Sequence, residues 1–132
     1  MWGDGYEYVS IEELKGKVLE EVRDTGYDEL YFYTVDGDTY RMNHEQDCCE
    51  HVELEDIIGD LDDLIGEPIL MAEEVTEEEP AHAYEGDASE TWTFYKLATI
   101  KGYVTSRWYG TSNSYYSESV SFKKFVGEGN DE

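Results

Sequence analysis

The strongest structural signal in the chain is its last third, residues 91–125, which reads TWTFYKLATIKGYVTSRWYGTSNSYYSESVSFKKF. Trp92, Phe94 and Trp108 alternate with polar residues, which is typical of a sheet that buries one face. This alternation and the turn residues between the apolar runs predict three strands: residues 91–101, 103–109 and 115–125. We therefore expect this part of the chain to be antiparallel β-sheet.

A second strand pair precedes this region, at residues 28–35 and 38–42. Alternate residues from Leu30 to Thr34 form one face of its first strand. Asp36 and Gly37 stand between the two strands, and this dipeptide is favoured in two-residue hairpin turns. The pattern predicts a β-hairpin.

Two short helices and further extended segments are indicated by local signals. Ser10 and Glu13 match the capping-box pattern, which predicts a helix over residues 11–14. Asp60 is a suitable cap for a second helix over residues 61–65. A further strand is predicted at residues 69–75, residues 17–24 suit a helix or a strand with strand favoured, and residues 49–54 are expected to be extended.

These elements predict a single α+β domain, with an antiparallel sheet of six or seven strands and one or two short helices. A length of 132 residues suits one domain with its own core. We expect a loose segment at residues 1–9, a domain at residues 10–125 and a flexible acidic tail at residues 126–132. Within the domain, residues 76–90 are expected to form an acidic loop. No apolar run approaches the roughly 18 residues of a membrane span, and no signal peptide is recognisable, so we expect a soluble cytoplasmic protein.

Charge is the dominant property of the composition. The chain has 33 acidic and 9 basic residues, a formal net charge of -24 at pH 7. An aromatic content of 14% argues against a disordered acidic chain. Direct binding to nucleic acid is disfavoured, because such a protein repels phosphate. The charge therefore indicates either solubility or a partner with a strongly basic surface.

The negative charge is segregated along the chain. From Asn43 to Glu90 there are 18 acidic residues and no Lys or Arg. This tract is either a solvated acidic face or a binding surface for a basic protein. The carboxylates assigned to that surface are Glu45, Asp47, Glu50, Glu53, Glu55, Asp56, Asp60, Asp62, Asp63, Glu73, Glu74, Glu77, Glu78 and Glu79.

The same tract contains the residue types of a metal or thiol site, namely His44, Cys48, Cys49 and His51. Zinc prefers these nitrogen and sulfur ligands, but adjacent cysteines on a strand point to opposite faces. A reactive thiolate needs electropositive surroundings, and these surroundings are acidic. The carboxylates also lack the spaced pattern of an EF-hand calcium loop. We expect no catalytic residues, no cofactor and no disulfide, and keep a metal- or thiol-dependent protein as the alternative.

Several motifs are similar to those of a known group of proteins. They are HEQDCCE at 44–50, EDIIGD at 55–60, TWTFYKLATIKG at 91–102 and RWYG at 107–110. With these motifs, residues 10–122 resemble a family of small uncharacterised proteins from bacteriophages and bacterial genomes. The resemblance implies a phage or mobile-element protein that acts in a bacterial cytoplasm, and it brings no activity or site residues.

Origin and charge together lead to the functional hypothesis. Small, very acidic phage proteins resemble DNA mimics that disarm a host nuclease, restriction enzyme or CRISPR effector. The hypothesis is a non-enzymatic inhibitor that binds the basic nucleic-acid-binding surface of such a protein. A second alternative is a phage structural or regulatory module that binds a protein through an exposed strand edge.

Overall fold

The computed structural model describes residues 5–46, 49–79, 89–112 and 117–127. Predictions for Asp47, Cys48, most of the acidic loop and the end of the tail concern residues outside these ranges. No helix in the described ranges is long and apolar enough to span a membrane.

Nine strands and two short 3-10 helices make up the described secondary structure. The strands are β1 (Tyr6–Tyr8), β2 (Leu19–Asp24), β3 (Glu29–Thr34), β4 (Thr39–Asn43), β5 (His51–Ile58), β6 (Met71–Glu79), β7 (Ser89–Thr99), β8 (Gly102–Ser112) and β9 (Ser121–Phe125). The 3-10 helices are η1 (Ile11–Leu14) and η2 (Leu61–Leu64). The predicted antiparallel β character is confirmed, but the α part of the predicted α+β class is wrong, because within the described residues the helical content is limited to these two single 3-10 turns.

The strands form two antiparallel sheets rather than one sheet of six or seven strands. One sheet has the order β1-β9-β4-β3-β2, and the other has the order β5-β8-β7-β6. Hairpins β2-β3-β4 and β6-β7-β8 are local, whereas β9 inserts between β1 and β4 from the far end of the chain. Local patterning does not encode such distant pairing, which explains the wrong strand and sheet count.

The buried faces of the two sheets share one core. Phe32, Tyr40 and Met42 from the first sheet are at most 1% exposed, as are Tyr95 and Trp108 from the second. The hydroxyl of Ser106 donates to the sulfur of Met42 across the interface at 3.4 Å. The molecule is therefore a β-sandwich, in which each sheet keeps one outward face.

The predicted hairpin and both predicted caps are confirmed. The hairpin joins β3 to β4 as predicted, but the prediction of a two-residue turn on Asp36 and Gly37 is wrong: the Gly37 amide donates to the Thr34 carbonyl at 3.1 Å, so Val35 and Asp36 are the central turn residues. Gly37 follows them with φ 97°, a conformation that glycine adopts without a steric penalty. Ser10 Oγ accepts a hydrogen bond from the Glu12 amide at 3.1 Å, and Asp60 Oδ1 accepts one from the Asp62 amide at 2.9 Å. These features depend on residues a few positions apart, so short-range patterns predict them well.

Several predicted boundaries shift; for example, the last strand begins at Ser121 rather than at residue 115, and β8 runs to Ser112 rather than to residue 109. β1 lies inside the segment 1–9 that composition predicts to be loose, because Tyr6–Tyr8 pair with β9. β6 runs to Glu79 and β7 starts at Ser89, so the predicted acidic loop of residues 76–90 is largely strand at both ends. Cross-strand pairing therefore extends into polar sequence that turn propensity assigns to a loop.

Candidate protein-binding surface

The acidic tract supplies both edge strands of the four-stranded sheet. β5 carries Glu53, Glu55 and Asp56, and β6 carries Glu73 and Glu77. β8 and β7 lie between these edges. Three strand spacings of about 4.8 Å therefore separate the two acidic edges by about 14 Å.

Strand register shows which side chains share the outward face of this sheet. Glu53 is opposite Tyr109, Tyr109 is opposite Trp92, and Trp92 is opposite Glu77. Directly paired residues point to the same side, so this row runs from carboxylate through two aromatic rings to carboxylate. The next row contains Asp56, Arg107, Phe94 and Val75. We call this side of the four-stranded sheet the outer face.

The centre of the outer face is an aromatic stripe formed by Trp92, Phe94 and Tyr109. The rings of Trp92 and Tyr109 have centroids 4.5 Å apart at 48°, and those of Trp92 and Phe94 are stacked 6.5 Å apart. All three side chains are half-buried. The expectation that Trp92 and Phe94 share a buried face with Trp108 is wrong, because Trp108 pairs with Thr93 and points into the core.

Arg107 occupies the middle of this face and is held by three groups. Its Nε lies 2.6 Å from Glu55 Oε1, and one of its terminal nitrogens lies 3.7 Å from Asp56. Its guanidinium carbon lies 5.7 Å from the centroid of Trp92. The hydrogen bond to Glu55 raises the pKa of Arg107, so this cation stays charged at any physiological pH.

Tyr109 is fixed by a carboxylate as well. Its hydroxyl hydrogen-bonds to Glu90, which stands two residues before Trp92 on β7. Burial first, and then this hydrogen bond, raise the pKa of Tyr109. The outward charged side chains on the described parts of this face are Glu53, Glu55, Asp56, Glu73, Glu77, Glu90, Lys96 and Arg107. Carboxylates therefore outnumber cations on the outer face by three to one.

The other predicted binding carboxylates lie elsewhere. Glu45 forms an ion pair with Lys123 on the five-stranded sheet, and the Lys123 hydrogen bond lowers the pKa of Glu45. Glu50 is buried at 3% exposure and contributes no surface. Asp60 and its neighbours Asp62 and Asp63 surround η2, where the chain passes from β5 to β6.

β6 itself divides its acidic residues between two sides. Glu73 and Glu77 are opposite Lys96 and Trp92 on the outer face, whereas Glu74 is opposite Tyr95, a core residue. Burial raises the pKa of Glu74. Glu78 and Glu79 continue the strand opposite Thr91 and Glu90. The predicted set is therefore not one continuous surface, and its largest outward part is the outer face.

Comparison with known proteins places the chain in a family. The family model of a domain of unknown function, DUF7448, matches residues 12–122. This chain belongs to the DUF7448 family. No curated protein and no solved structure matches it. The DUF7448 match includes all of β2 to β8, so the complete outer face lies within the family domain.

The metal or thiol alternative for this DUF7448 chain meets a specific obstacle at His44. Its Nδ1 lies 2.6 Å from the Ser119 carbonyl oxygen, and its Nε2 lies 2.6 Å from Glu50 Oε2. Both ring nitrogens are thus engaged, so His44 ligates a metal only by losing one of these bonds. Among the residues that the structure describes, no group of three or more His, Cys, Asp and Glu is arranged to hold a metal ion.

The remaining members of that cluster are dispersed. His51 is exposed and lies 3.2 Å from Glu53 Oε1, whereas Cys48 is outside the described residues. Cys49 is exposed and disulfide-bonded, which corrects the expectation of free thiols. A cavity of about 280 Å³ beside His44 is lined by Tyr8, His44, Glu45, Gln46, Glu50, Ser117, Ser119 and Ser121. His44 contacts the Ser119 carbonyl there rather than a serine hydroxyl, so it is not placed to activate a nucleophile.

The aromatic stripe is the part of this surface that sequence reasoning missed. Tyr and Trp on predicted strands are usually core residues, and the chain alone offered no reason to separate Trp92 from Trp108. The useful signal was the alternation on β7, where Thr93, Tyr95 and Leu97 form a second and more deeply buried set. Because both sides of β7 carry apolar side chains, only the packed structure shows which side faces the core and which faces outward.

Proposed function

We propose that this DUF7448 protein is a non-enzymatic inhibitor that binds the basic nucleic-acid-binding surface of a host defence protein. The observation that carries the proposal is the pair of carboxylate rows on opposite edges of the outer face. Nucleic acid presents two rows of phosphates beside its bases, and proteins that bind it supply Lys and Arg to match. The outer face presents two rows of carboxylates beside aromatic rings.

The dimensions support this comparison. The carboxylate rows on β5 and β6 are about 14 Å apart, close to the width of the DNA major groove at about 12 Å. On β6, Glu73 and Glu77 are separated by Val75 on the outer face, about 13–14 Å apart along the strand, and on β5 the irregularity between Leu54 and Asp56 groups Glu53, Glu55 and Asp56. A basic channel that binds the two phosphate rows of a duplex would therefore contact two separated lines of carboxylates on this sheet.

Charge and aromatic contact have separate roles in this mechanism. A net charge of -24 steers the protein toward a basic partner and accelerates association at low ionic strength. The aromatic stripe supplies the short-range contact, since Trp and Tyr are enriched among the interface residues that contribute most to the binding free energy. The host is proposed to be a bacterium, and the target a restriction enzyme, a CRISPR effector or another nuclease.

Two observations bear on the alternatives. The His44 bonds to Glu50 and Ser119 leave the metal- or thiol-dependent hypothesis without a free imidazole nitrogen at this residue. The exposed β6 edge suits a module that pairs by strand addition, but its glutamates oppose pairing with another strand, as charged edges usually do. The acidic inhibitor therefore has the stronger support.

The test is competition against duplex DNA. A fluorescein-labelled duplex is bound to purified nucleases, one restriction endonuclease and one RNA-guided nuclease among them, and the protein is added at low and at physiological salt. The variant Glu53→Gln, Glu77→Gln, Glu90→Gln removes three charges from the outer face. The matched control Asp60→Asn, Asp62→Asn, Asp63→Asn removes three charges beside η2, and Asn preserves the cap at residue 60.

We expect the native protein to displace the duplex from at least one nuclease and to block cleavage. The outer-face variant is expected to lose at least about 10-fold in potency, and the η2 control less than about 3-fold, because only the former removes contacts at the interface. Equal potency of the two variants would show that the charge acts without a defined surface. Failure of the native protein to displace DNA from any nuclease, at protein concentrations up to about 100 μM, contradicts the proposal.

A further inference from the structure

The outer face already contains one bound guanidinium group, which belongs to the chain itself. Arg107 contacts two carboxylates, Glu55 and Asp56, and lies over the ring of Trp92. This combination satisfies the planar N–H donors of a guanidinium and uses the attraction of a cation to an aromatic ring. The arrangement shows how this sheet holds an arginine side chain.

The neighbouring row has the same chemical components, and it differs in that its carboxylates form no ion pair with Lys or Arg in the described part of the chain. It contains the rings of Trp92 and Tyr109 with Glu53 at one end and Glu77 at the other. Glu90 adds a third carboxylate beside Tyr109. In the described part of the chain, no Lys or Arg forms an ion pair with Glu53, Glu77 or Glu90, and the one ion-pair contact of Glu53 is His51.

We infer that this row, Glu53, Tyr109, Trp92 and Glu77, together with neighbouring Glu90, is a subsite for the guanidinium group of an arginine side chain on the partner protein. The inference rests on the proposed function and deepens it, since it states which basic side chain the aromatic stripe selects. The guanidinium packs against the aromatic rings of this row, and its N–H groups donate to a neighbouring carboxylate. Arg107 in the adjacent row is the structural precedent.

Arginine fits this row better than lysine for two reasons. A guanidinium is planar and stacks on an aromatic ring, whereas an ammonium group is a strongly hydrated point charge. The carboxylates at both ends of the row suit a fork of donors, which arginine supplies and a single ammonium does not. A quaternary ammonium ligand has no donors at all, so it leaves these carboxylates unused.

The experiment uses two defined peptides and the full chain. One is an acetylated, amidated peptide with five arginines alternating with glycines, and the other has lysine at the same five positions. Affinities are measured by calorimetry for the native protein, for Trp92→Leu and for Phe94→Leu, which is the matched control because Phe94 lies in the Arg107 row. Circular dichroism verifies that each variant is folded.

We expect the native protein to bind the arginine peptide at least about 5-fold more tightly than the lysine peptide. Trp92→Leu is expected to bring that ratio close to one while leaving salt-dependent binding of both peptides, and Phe94→Leu is expected to keep the ratio. A native ratio near one, or an unchanged ratio in Trp92→Leu, overturns the subsite.

A measurement on the native protein keeps the test valid if Trp92→Leu does not fold. In a ¹⁵N-labelled sample, the indole N–H signal of Trp92 is expected to shift when the arginine peptide is added, and that of buried Trp108 to stay in place. Absence of a Trp92 shift at saturation counts against the subsite. Failure of the subsite also differs from failure of the proposed function, because the DNA competition test compares carboxylate variants and does not depend on arginine selectivity.

Discussion

The imidazole Nε2 of His44 lies 2.6 Å from Oε2 of Glu50, and both side chains are almost completely buried. The other ring nitrogen faces the Ser119 carbonyl at 2.6 Å. Both ring nitrogens of His44 are therefore within hydrogen-bond distance of an oxygen atom. The pair thereby ties the β4–β5 connection to the β8–β9 connection, across the boundary between the two sheets.

Removal of the Glu50 charge is expected to destabilise the protein. Glu50→Gln removes the carboxylate that His44 Nε2 contacts in a buried site, and loss of one partner of such a buried pair costs about 3 kcal/mol in free energy of unfolding. The chain provides a matched control in Glu53→Gln, because Glu53 pairs with exposed His51. That change is expected to cost less than about 0.5 kcal/mol. Urea denaturation at pH 7 measures both, and similar values for the two variants would contradict the buried pair.

The two strand tryptophans are expected to behave differently. Trp108 is 1% exposed and its Nε1 donates to Ser106 Oγ at 3.1 Å, so Trp108→Ala is expected to cost about 3–5 kcal/mol. Trp92 is half-buried on the outer face, so Trp92→Ala is expected to cost about 1 kcal/mol. Chemical denaturation measures the costs. Acrylamide should quench the fluorescence of the Trp108→Phe variant, which retains half-buried Trp92, more than that of Trp92→Phe, which retains buried Trp108. The reverse order would contradict the assignment of Trp108 to the core and Trp92 to the outer face.

A turn glycine is expected to resist substitution. Gly59 has φ +108°, and an added Cβ would lie 2.4 Å from the backbone oxygen of Tyr103. Gly59→Ala is therefore expected to cost more than about 2 kcal/mol, from the strained conformation together with the backbone clash. Gly66 is the control, since it has φ +88° and open space around it. Gly66→Ala is expected to cost about 1 kcal/mol in thermal unfolding, and an equal cost for both would refute the close approach at Gly59.

The pH dependence of stability is expected to reveal Glu74. Burial raises its pKa in the folded protein, so its protonated form favours folding, and this contribution is lost as pH rises through the folded-state pKa. Glu74→Gln should therefore stabilise the protein at pH 7, by less than about 1 kcal/mol because the side chain is partly exposed, and have little effect at about pH 4. Glu20→Gln on β2 is exposed and controls for the relief of general repulsion. If the stabilisation by Glu74→Gln, relative to Glu20→Gln, does not increase between about pH 4 and pH 7, the raised pKa of Glu74 in the folded protein is contradicted.

Features that depend on neighbouring residues were predictable from the chain. Asp36 and Gly37 mark the position of the hairpin between β3 and β4, because a turn signal and the flanking alternation are local, although the central turn residues are Val35 and Asp36. Ser10 and Asp60 cap their helices through amides two residues away. Glu13 shows where such reasoning ends: the capping box predicts a bond back to Ser10, but its carboxylate accepts a hydrogen bond from the hydroxyl of Tyr40 at 3.0 Å. The competing partner comes from another strand.

The amino-acid order was sufficient for the antiparallel β character, the local turns and the extreme negative charge, because these follow from alternation, short-range contacts and composition. It did not distinguish buried Glu50 from half-buried Glu53, or buried Trp108 from half-buried Trp92, although each pair looks alike in the chain. Those differences arise when β9 inserts between β1 and β4 and when β5 and β6 become opposite edges of one sheet. Pairing between distant strands determines which face each side chain occupies, and that is a property of the folded chain as a whole.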